Sequence, residues 1–575
     1  MTSVRPDHAP QAYDPTVQSQ PAPASARDAM AASIALLVVG VALRLHHYVD
    51  RRSLWLDEIW VALNIVGRSF AGLARPLDYA QSAPVGFLWA ERLAVVVGGV
   101  NELALRAFPL LAGCLLFVAL WLLARRLLDV RGAALCLAIA ALSPILIYFS
   151  NEVKPYVSDA LVAVVLTWLA LDVLEAPDSR RAWRWLAVGG AGGILLSTPS
   201  VFVLAGVGIA LIAHPAIRST RVGWLRLVGT GVLWIGLFAL GYFTVYRGTA
   251  SSDYMQRIWS DAFLSLPPGN LLRMANHAAR TMWFESFVGD NDAMLPPKAI
   301  VVATLLSVAG AVVLWRRHGM PVALLVALPC LATAGASFAR LWPLTPRLLV
   351  FLVPALVLLL GTGLWALAGL LPVRARGLAL ALLGAIVLLP AIVTDTRLAR
   401  EPRRRDDVAP LVREFMATRQ GPTIMYVVGH GTPAWLFYTS RWRERADEAF
   451  RVAASRANTS AHFETRECIT QEPGLRVVFG PTGTDVLGQS ALAAEAAWLA
   501  AQPERDVRVF TLSYEHEAGH VLENQLIAKG ATRVAERSRQ GAELRHFRFP
   551  PHVVAPPPLS CDTRLADQPP TTSTR

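Results

Sequence analysis

The chain has 575 residues, of which 54% are hydrophobic and 17% are charged, and its mean hydropathy is +0.42. This composition excludes an ordinary soluble globular protein and indicates an integral membrane protein. The formal net charge is +12. However, the arginines lie in short loops between hydrophobic blocks, so the charge favours a role in membrane topology over binding to nucleic acid.

The N-terminal segment 1–28 is rich in Pro, Ala, Ser and Gln and is predicted to be a disordered cytoplasmic tail. The first apolar block, 31–49, has no small-residue cleavage site after it, so it should remain as a membrane helix. Apolar blocks of a length that can cross a bilayer then recur through a region from 29 to 395. The predicted spans are 31–49, 103–124, 132–149, 156–175, 185–197, 200–213, 227–245, 299–315, 320–338, 348–371 and 375–394.

Two of these spans are short, and the segment Ser197-Thr198-Pro199-Ser200 between them predicts a tight helical hairpin. The alternative is a single kinked helix, which would reverse the membrane orientation of every later span. The apolar stretch 84–100 contains Glu91 and Arg92. We predict that it lies in the first external loop, 50–102, as an amphipathic helix at the membrane surface.

The distribution of arginine decides this assignment. With 84–100 outside the membrane there are eleven spans, and five arginine clusters fall on the cytoplasmic side, as the positive-inside rule requires. These clusters contain Arg125, Arg126 and Arg131; Arg180, Arg181 and Arg184; Arg218, Arg221 and Arg226; Arg316 and Arg317; and Arg374 and Arg376. The polar segments then share the external face: SLWLDEIW (53–60), YFSNEVKPY (148–156), the loop 246–298 and SFARLWPLTPR (337–347).

Four motifs on this face carry a family resemblance. LWLDE, QSAPVGFLWAER, ELALRAFPLLAG with a following Arg-Arg, and SPILIYFSNEVKPY occur in this order. The chain thereby resembles the polyprenyl-phosphate-sugar-dependent glycosyltransferases of the GT-C class. Within that class it is most similar to the family 39 branch of protein O-mannosyltransferases and aminoarabinose transferases. The resemblance covers roughly residues 31 to 440 and is strongest in the first 175.

The resemblance implies an acidic pair in the first external loop, which matches Asp57 and Glu58. The second loop, often S-x-E-A-R-P-Y in relatives, reads Ser150 to Tyr156 here, with Lys154 in place of the arginine. This change keeps the charge but loses the bidentate geometry. A late loop resembling Y-P-F-x-x-R ends at Arg347 and lacks the tyrosine. The resemblance also implies direct displacement with inversion.

The chemistry of such a reaction agrees with these residue types. A lipid phosphate is already a good leaving group, so the site needs a base for the acceptor hydroxyl and cations for the phosphate. Asp57 is the predicted base, and Glu58 is predicted to orient it, raise its pKa, or help to hold an acceptor or metal. The substrate-binding candidates are Glu152, Lys154, Tyr156, Arg340, Arg347 and Lys298, with Arg340 and Lys298 the weaker phosphate ligands. The mechanism requires no cofactor, although a divalent metal stays open.

Purely structural roles compete with these assignments. The two acids could pair with Arg51 and Arg52 at the membrane surface, and Arg347 could extend from a helix start towards the interface. Glu152 and Lys154 could form an ion pair with each other.

Two further patterns have less bearing on the reaction. The segment EHEAGH (515–520) places two histidines at i and i+4 and suggests a metal site, although we favour the interpretation without a metal. The tryptophans Trp55, Trp60 and Trp89 could form a sugar platform, although we prefer an interfacial aromatic belt.

The segment 396–555 has soluble composition. Strand-like runs PTIMYVVG, LRVVFG and VRVFTL alternate with helical stretches such as 491–501, which predicts an extracytoplasmic α/β or α+β domain. We expect it to cap the active face or to engage acceptor. Cys468 and Cys561 are the two cysteines of the external region, and whether they form a disulfide stays open. The segment 556–575 is predicted to be disordered.

The predicted architecture is an α-helical polytopic membrane protein of about eleven helices, GT-C-like, with an extracytoplasmic C-terminal domain. The predicted function is transfer of a sugar from a polyprenyl-phosphate donor to an extracytoplasmic lipid, glycan or protein at a bacterial inner membrane, with the N-terminus cytoplasmic. The partners are donor, acceptor and membrane lipids. A transporter or lipid flippase is the main alternative, and a catalytically inactive envelope scaffold is the third.

Overall fold

The computed structural model describes residues 24–79, 81–247, 253–264, 279–280, 297–439, 467–480 and 484–552. Most of the predicted N-terminal tail, most of the loop 246–298 and the whole segment 556–575 therefore lie outside the described residues. The described chain consists of a helical region up to residue 400, a short linker and a region built on one β-sheet.

The helical region begins with α1 (Ala24–Val49), which is followed by two helices of the first external loop, α2 (Leu56–Gly67) and α3 (Val85–Gly98). The next helices are α4 (Glu102–Leu127), α5 (Val130–Ala141), α6 (Pro144–Phe149), α7 (Tyr156–Glu175), α8 (Arg180–Leu196), α9 (Ser200–Ala213), α10 (Pro215–Arg218), α11 (Arg221–Gly241) and α12 (Asp253–Ile258). The last are α13 (Pro297–His318), α14 (Met320–Phe338), α15 (Val353–Gly369) and α16 (Val373–Arg400).

Among the described residues, eight helices are long and apolar enough to span a membrane. They correspond to α1, α4, α7, α11, α13, α14, α15 (with the 3₁₀ turn Pro346–Leu352 that precedes it) and α16. The other three predicted spans coincide with shorter helices: α5 with α6, which Ser143-Pro144 separates, and then α8 and α9. Helices are therefore present at all eleven positions, while the number of membrane crossings stays a prediction.

Burial differs strongly among these helices. The most apolar window of α15 is 83% buried within the protein and that of α7 is 67% buried, whereas the windows of α1, α11 and α16 are between 11% and 17% buried. Apolar side chains that are not covered by protein need lipid around them. Thus α7 and α15 form the centre of the bundle, and α1, α11 and α16 form its lipid-facing periphery.

The positions of the loops agree with the predicted topology. Asp57 contacts both Lys154 and Arg347, so the loops that carry these residues lie at one end of the bundle. Between Asp57 and Lys154 the predicted spans are α4 and α5 with α6. An even number of crossings keeps the two residues on one side of the membrane, which agrees with the prediction that α3 is not a span. Between Lys154 and Arg347 the predicted spans are α7, α8, α9, α11, α13 and α14. This number is even, whereas a single kinked crossing of α8 and α9 would make it odd.

The C-terminal region has the mixed α/β character predicted from its strand-like runs. Its strands are β1 (Thr423–Val427), β2 (Glu467–Glu472), β3 (Leu475–Phe479), β4 (Asp506–Leu512), β5 (Thr532–Arg539) and β6 (Ala542–Arg548). They form one six-stranded sheet in the order β2-β3-β1-β4-β6-β5, in which β1 pairs in parallel with β3 and β4. Its helices are α17 (Val408–Thr418), α18 (Gly431–Tyr438), α19 (Thr484–Ala500) and α20 (His516–Ala528).

This tail domain packs directly on the first external loop. A single apolar cluster combines Ile59 and Leu63 of α2 with Phe415 of α17, Trp435 of α18 and Phe510 of β4. Burying side chains from both regions in one core stabilises their contact. The tail domain therefore lies against the helix that carries Asp57 and Glu58, on the same end of the bundle as Lys154 and Arg347.

The cysteines occupy two kinds of environment. Cys114, Cys136 and Cys330 are free thiols within the bundle helices. Cys468 in β2 is disulfide-bonded. Cys561 lies outside the described residues.

Candidate active site

Asp57 lies in the first turn of α2 between two cationic side chains. Lys154 Nζ is 3.0 Å from Asp57 Oδ1, and Arg347 Nη1 donates a hydrogen bond to Oδ2 at 2.9 Å. The side chains are 15% exposed for Asp57, 7% for Lys154 and 30% for Arg347. These three residues, hereafter the Asp57 cluster, thus join three loops at one end of the bundle and reach solvent chiefly on the Arg347 side.

The electrostatics of this cluster keep Asp57 ionised. Burial raises the pKa of the carboxyl, but the ion pairs with Lys154 and Arg347 outweigh it and hold the pKa below its ordinary value. The expectation that the neighbouring Glu58 raises the pKa of Asp57 is therefore wrong. The reason is that both oxygens of Asp57 face cations, while Glu58 has a cation of its own.

Glu58 points away from Asp57 into a separate buried network. Its side chain is fully buried, and Arg106 contacts it through Nε at 3.1 Å from Oε1 and Nη2 at 2.7 Å from Oε2. The backbone N–H groups of Val153 and Trp55 also donate to Glu58, at 2.9 Å and 3.3 Å. Burial raises the pKa of Glu58, but the charges of Arg106 and Arg52 and the N–H of Val153 hold it below its ordinary value. Both oxygens are occupied, so these contacts support a structural role for Glu58.

The cationic partner of Glu58 differs from the two arginines that its sequence neighbourhood suggests. The bidentate partner is Arg106 in the first turns of α4, and neither Arg51 nor Arg52 takes that place. Arg52 instead donates to the carbonyl of Asn151 at 2.7 Å. A signal for Arg106 is present in ELALRAF, because an arginine so close to the start of an apolar span needs a buried acceptor.

The second loop supplies residues with different partners. Glu152 Oε1 accepts a hydrogen bond from Trp55 Nε1 at 2.5 Å, and Lys154 Nζ donates to Gln81 Oε1 at 2.8 Å in addition to Asp57. A Glu152–Lys154 ion pair is not what the structure shows. Tyr156 is buried at the start of α7, where its ring meets Phe149 edge-on at 4.9 Å.

The pKa of Glu152 is shifted in the opposite direction to that of Asp57. Burial and the nearby Glu58 raise its pKa, and the attraction of Arg52 and Arg405 does not fully compensate. Its indole partner Trp55 is itself buried. Trp55 is therefore a component of the site, which corrects its assignment to an interfacial aromatic belt. In contrast, Trp89 is 41% exposed, as that assignment requires.

Arg347 lies in a 3₁₀ turn of the late loop, Pro346–Leu352, which directly precedes α15. The guanidinium of Arg347 also lies over the ring of Trp259, 4.9 Å from its centroid. The Arg347 side chain points towards Asp57 and Trp259, and it does not extend to the membrane interface. Stacking on an indole while pairing with a carboxylate fixes the orientation of its planar group.

The two weaker candidates lie apart from the cluster. Arg340 is exposed, has a left-handed backbone (φ 55°) and places its guanidinium 5.6 Å from the ring of Phe263. Lys298 is exposed in the first turn of α13. Within the described part of the chain, neither makes a hydrogen bond or ion pair with Asp57, Lys154 or Arg347.

Sequence reasoning missed a contribution from the linker that precedes the tail domain. Asp406 Oδ2 accepts a hydrogen bond from the backbone N–H of Leu56 at 3.0 Å, and the guanidinium of Arg405 lies 4.1 Å from the ring centroid of Trp55. Burial raises the pKa of Asp406 to about 6, against the lowering effect of the Leu56 N–H and Arg405. The charge run EPRRRDD (401–407) was the available signal.

Among the residues that the structure describes, there is no group of three or more His, Cys, Asp or Glu side chains arranged to hold a metal ion. The helical pair His516 and His520 has its two Nε2 atoms 3.0 Å apart, on α20 of the tail domain. Arg545 Nη2 is 3.3 Å from His520 Nε2, so a cationic group already lies beside this pair.

Comparison with known proteins gives a match to a family model and a similarity to solved structures. Residues 82–240, which include Lys154 and Tyr156, match the family model described as dolichyl-phosphate-mannose-protein mannosyltransferase. The crystal structure of ArnT from Cupriavidus metallidurans bound to undecaprenyl phosphate has a TM-score of 0.53 at 14% identity, covering 91% of this chain and 98% of that chain. The chain has the GT-C fold. ArnT from the same organism in the apo state gives a TM-score of 0.50, with the same identity and coverage.

The GT-C fold and the family match confirm the predictions of fold class and of a glycosyltransferase. No curated protein sequence matches the chain. The multi-pass membrane architecture is likewise confirmed, because the GT-C fold accounts for the long apolar helices. The roles of individual site residues stay predictions, now with defined contacts.

Proposed function

We propose that this GT-C protein transfers a sugar from a polyprenyl-phosphate donor to an acceptor hydroxyl on the extracytoplasmic side of a bacterial inner membrane, with inversion. The observation that carries the proposal is the Asp57 cluster, in which one carboxylate lies between Lys154 and Arg347 at one end of the bundle. The similarity to ArnT, whose structure holds undecaprenyl phosphate, supports a donor of this class.

The cluster suggests how a donor phosphate is bound. Lys154 and Arg347 are the cations that a phosphate would use, and Asp57 now occupies them. An incoming phosphate carries more oxygen acceptors than a carboxylate and competes for the same donors. As it takes over these contacts, Asp57 loses the charges that lower its pKa and becomes a stronger base. Donor binding and activation of the base are thereby coupled.

The chemical step then follows from the freed carboxylate. Asp57 takes the proton of the acceptor hydroxyl while the acceptor oxygen bonds to the anomeric carbon of the sugar. The bond from that carbon to the phosphate oxygen breaks, and its electron pair leaves with the polyprenyl phosphate. Lys154 and Arg347 stabilise the charge that develops on the leaving phosphate. Attack opposite to the leaving group inverts the anomeric centre.

The proposed step needs no resident cofactor, because the leaving group is already a phosphate. A divalent ion that accompanies the donor phosphate would add its positive charge to those of Lys154 and Arg347. Transfer assays with added EDTA or Mg²⁺ distinguish these two cases.

A transporter or flippase is the second candidate function. It needs charges near the middle of the bundle, and the buried Arg44 of α1, within a span, meets this requirement in part. However, Arg44 donates to the carbonyl groups of Gly40 and Ala141, which accounts for it as a helix-packing residue. The Asp57 cluster at the end of the bundle favours transfer chemistry.

The deciding experiment uses the purified full-length protein in nanodiscs with a panel of synthetic polyprenyl-phosphate sugars, and it measures release of polyprenyl phosphate. Release with at least one sugar and a hydroxyl acceptor, and its loss in Asp57→Asn, are the expected results. Absence of release with every donor, together with movement of a labelled lipid between leaflets in vesicles, would favour the flippase.

A further inference from the structure

The first turn of α2 lacks the usual side-chain cap. Helices begin with backbone N–H groups that need acceptors, which are commonly supplied by Ser, Thr, Asp or Asn at the N-cap. The N-cap of α2 is Trp55, whose indole has no acceptor oxygen. The N–H of Leu56, directly before Asp57, therefore depends on an acceptor from elsewhere.

The acceptor is Asp406 in the linker Glu401–Asp407 between α16 and α17. Asp406 is buried, and its Oδ2 is 3.0 Å from the N–H of Leu56. A carboxylate at a helix N-terminus is also favoured by the helix dipole. A second backbone donor, just before α2, also has its acceptor outside the helix. The N–H of Leu54 donates a hydrogen bond to Tyr438 Oη of α18 at 2.6 Å.

The tail domain fixes the linker in this position. The N–H of Asp407 donates to the carbonyl of Gln540 at 2.8 Å, and Ser53 Oγ donates to Asp407 Oδ1 at 2.9 Å. At the next residue of the β5–β6 turn, Gly541 has φ +79°, and an added Cβ would overlap the carbonyl oxygen of Arg405. The β5–β6 turn thus packs on the backbone of the residue that precedes Asp406.

We propose that Asp406 is a positioning residue for Asp57, and that the tail domain sets the geometry of the catalytic carboxylate through this contact. The β5–β6 turn holds the linker, Asp406 holds Leu56, and Leu56 holds the first turn of α2 in which Asp57 faces Lys154 and Arg347. The consequence for catalysis rests on the proposed transferase function, whereas the mechanical link to α2 does not.

Two variants at Asp406 test the contact itself. Loss of an N-cap acceptor typically corresponds to roughly a 2- to 30-fold change in the equilibrium that it controls. In nanodiscs, Asp406→Ala should lower kcat by about 10-fold with the KM for donor changed less than about 3-fold. Asp406→Asn keeps an acceptor oxygen and should stay within about 3-fold of the wild type in kcat. Amide hydrogen exchange in residues 54–60 should accelerate in Asp406→Ala only.

A matched pair of glycine variants tests the link from the tail domain without altering α2 or the linker. Gly541→Ala places a methyl group against the Arg405 carbonyl, and Gly530→Ala introduces the same kind of positive-φ strain (φ +92°) with no atom within 4 Å. We expect Gly541→Ala to reproduce the kcat loss and the faster exchange of residues 54–60. Gly530→Ala should reproduce neither.

These measurements distinguish failure of the positioning role from failure of the proposed function. Wild-type exchange and kcat in both Asp406→Ala and Gly541→Ala would overturn the positioning role, and so would equal losses in the two glycine variants. If Asp406→Ala does not fold, the glycine pair decides. If the wild-type protein releases no polyprenyl phosphate from any donor, the proposed function fails, while hydrogen exchange still decides the mechanical link.

Discussion

Asp57 and Arg347 lie 290 positions apart in the chain and meet in a hydrogen-bonded ion pair, with Arg347 Nη1 2.9 Å from Asp57 Oδ2. One residue belongs to the first external loop and the other to the turn before α15. Their contact neutralises a cation that the proposed donor phosphate requires, so substitution of either residue should change donor binding. The two substitutions should act in opposite directions.

Asp57→Asn should lower turnover by about 10²- to 10⁴-fold, because the amide cannot accept a proton. Donor affinity should stay equal or increase, since Lys154 and Arg347 lose a competing carboxylate. Transfer rates and equilibrium donor binding in nanodiscs measure the two effects. Asp78→Asn is the matched control, because Asp78 is in the same external loop but pairs with Arg68 at 2.9 Å. Near-normal turnover in Asp57→Asn would exclude Asp57 as the base.

Arg347→Ala should weaken donor binding by about 10-fold or more, because a cation that contacts the phosphate is lost. Arg347→Lys should recover part of the affinity if charge dominates, and little of it if the planar two-donor group is needed. Arg340→Ala is the control, since its exposed guanidinium lies on Phe263 and makes no contact with the Asp57 cluster. Equal donor affinities of Arg347→Ala and wild type would remove Arg347 from the phosphate site.

Glu58→Gln should destabilise the protein by about 3 to 5 kcal/mol, because it leaves the buried guanidinium of Arg106 without its carboxylate. Thermal or denaturant unfolding in detergent measures this loss. The double variant Glu58→Gln with Arg106→Met should be less destabilised than Glu58→Gln, because no buried charge then lacks a partner. A fully stable Glu58→Gln with greatly reduced turnover would instead assign Glu58 a direct part in catalysis.

The stability of the protein should depend on the ionisation of Asp406. Its pKa is raised from 3.8 to about 6 by burial. The folded state therefore favours the protonated form, and its contribution to stability is lost as the pH rises from about 4 to 6. Asp406→Asn cannot ionise, so at pH 7 it should be more stable than wild type by on the order of 1 to 3 kcal/mol, and this advantage should shrink by pH 4. Unfolding at both pH values measures it, and a pH-independent difference would contradict the assignment.

Membrane orientation can be tested with introduced cysteines. Arg316→Cys should resist an impermeant thiol reagent in intact spheroplasts, since the positive-inside rule places the end of α13 in the cytoplasm. Lys529→Cys in the tail domain should react, because Lys529 is exposed. The wild-type protein gives the background of Cys114, Cys136 and Cys330. Labelling of Arg316→Cys without permeabilisation would invert the topology.

The sequence alone determined the architecture, because it depends on local properties. The length and apolarity of each block predict membrane helices, the positions of arginine predict their orientation, and the turn Ser197-Thr198-Pro199-Ser200 predicts the hairpin of α8 and α9. The alternating apolar runs of the tail likewise predicted strands that are present as β1, β3 and β4. The motif LWLDE drew attention to Asp57 and Glu58.

Only the tertiary structure decided what each of these side chains does. Adjacent residues of a helix point about 100° apart, so Asp57 faces Lys154 and Arg347 while Glu58 turns to the buried Arg106. The helical period fixes this divergence, but which partner lies in each direction depends on contacts between residues 48 to 290 positions apart. The charge run EPRRRDD (401–407) does not specify the contact of Asp406 with Leu56, 350 positions away, because pairing between distant segments is fixed by packing of the tail domain on α2.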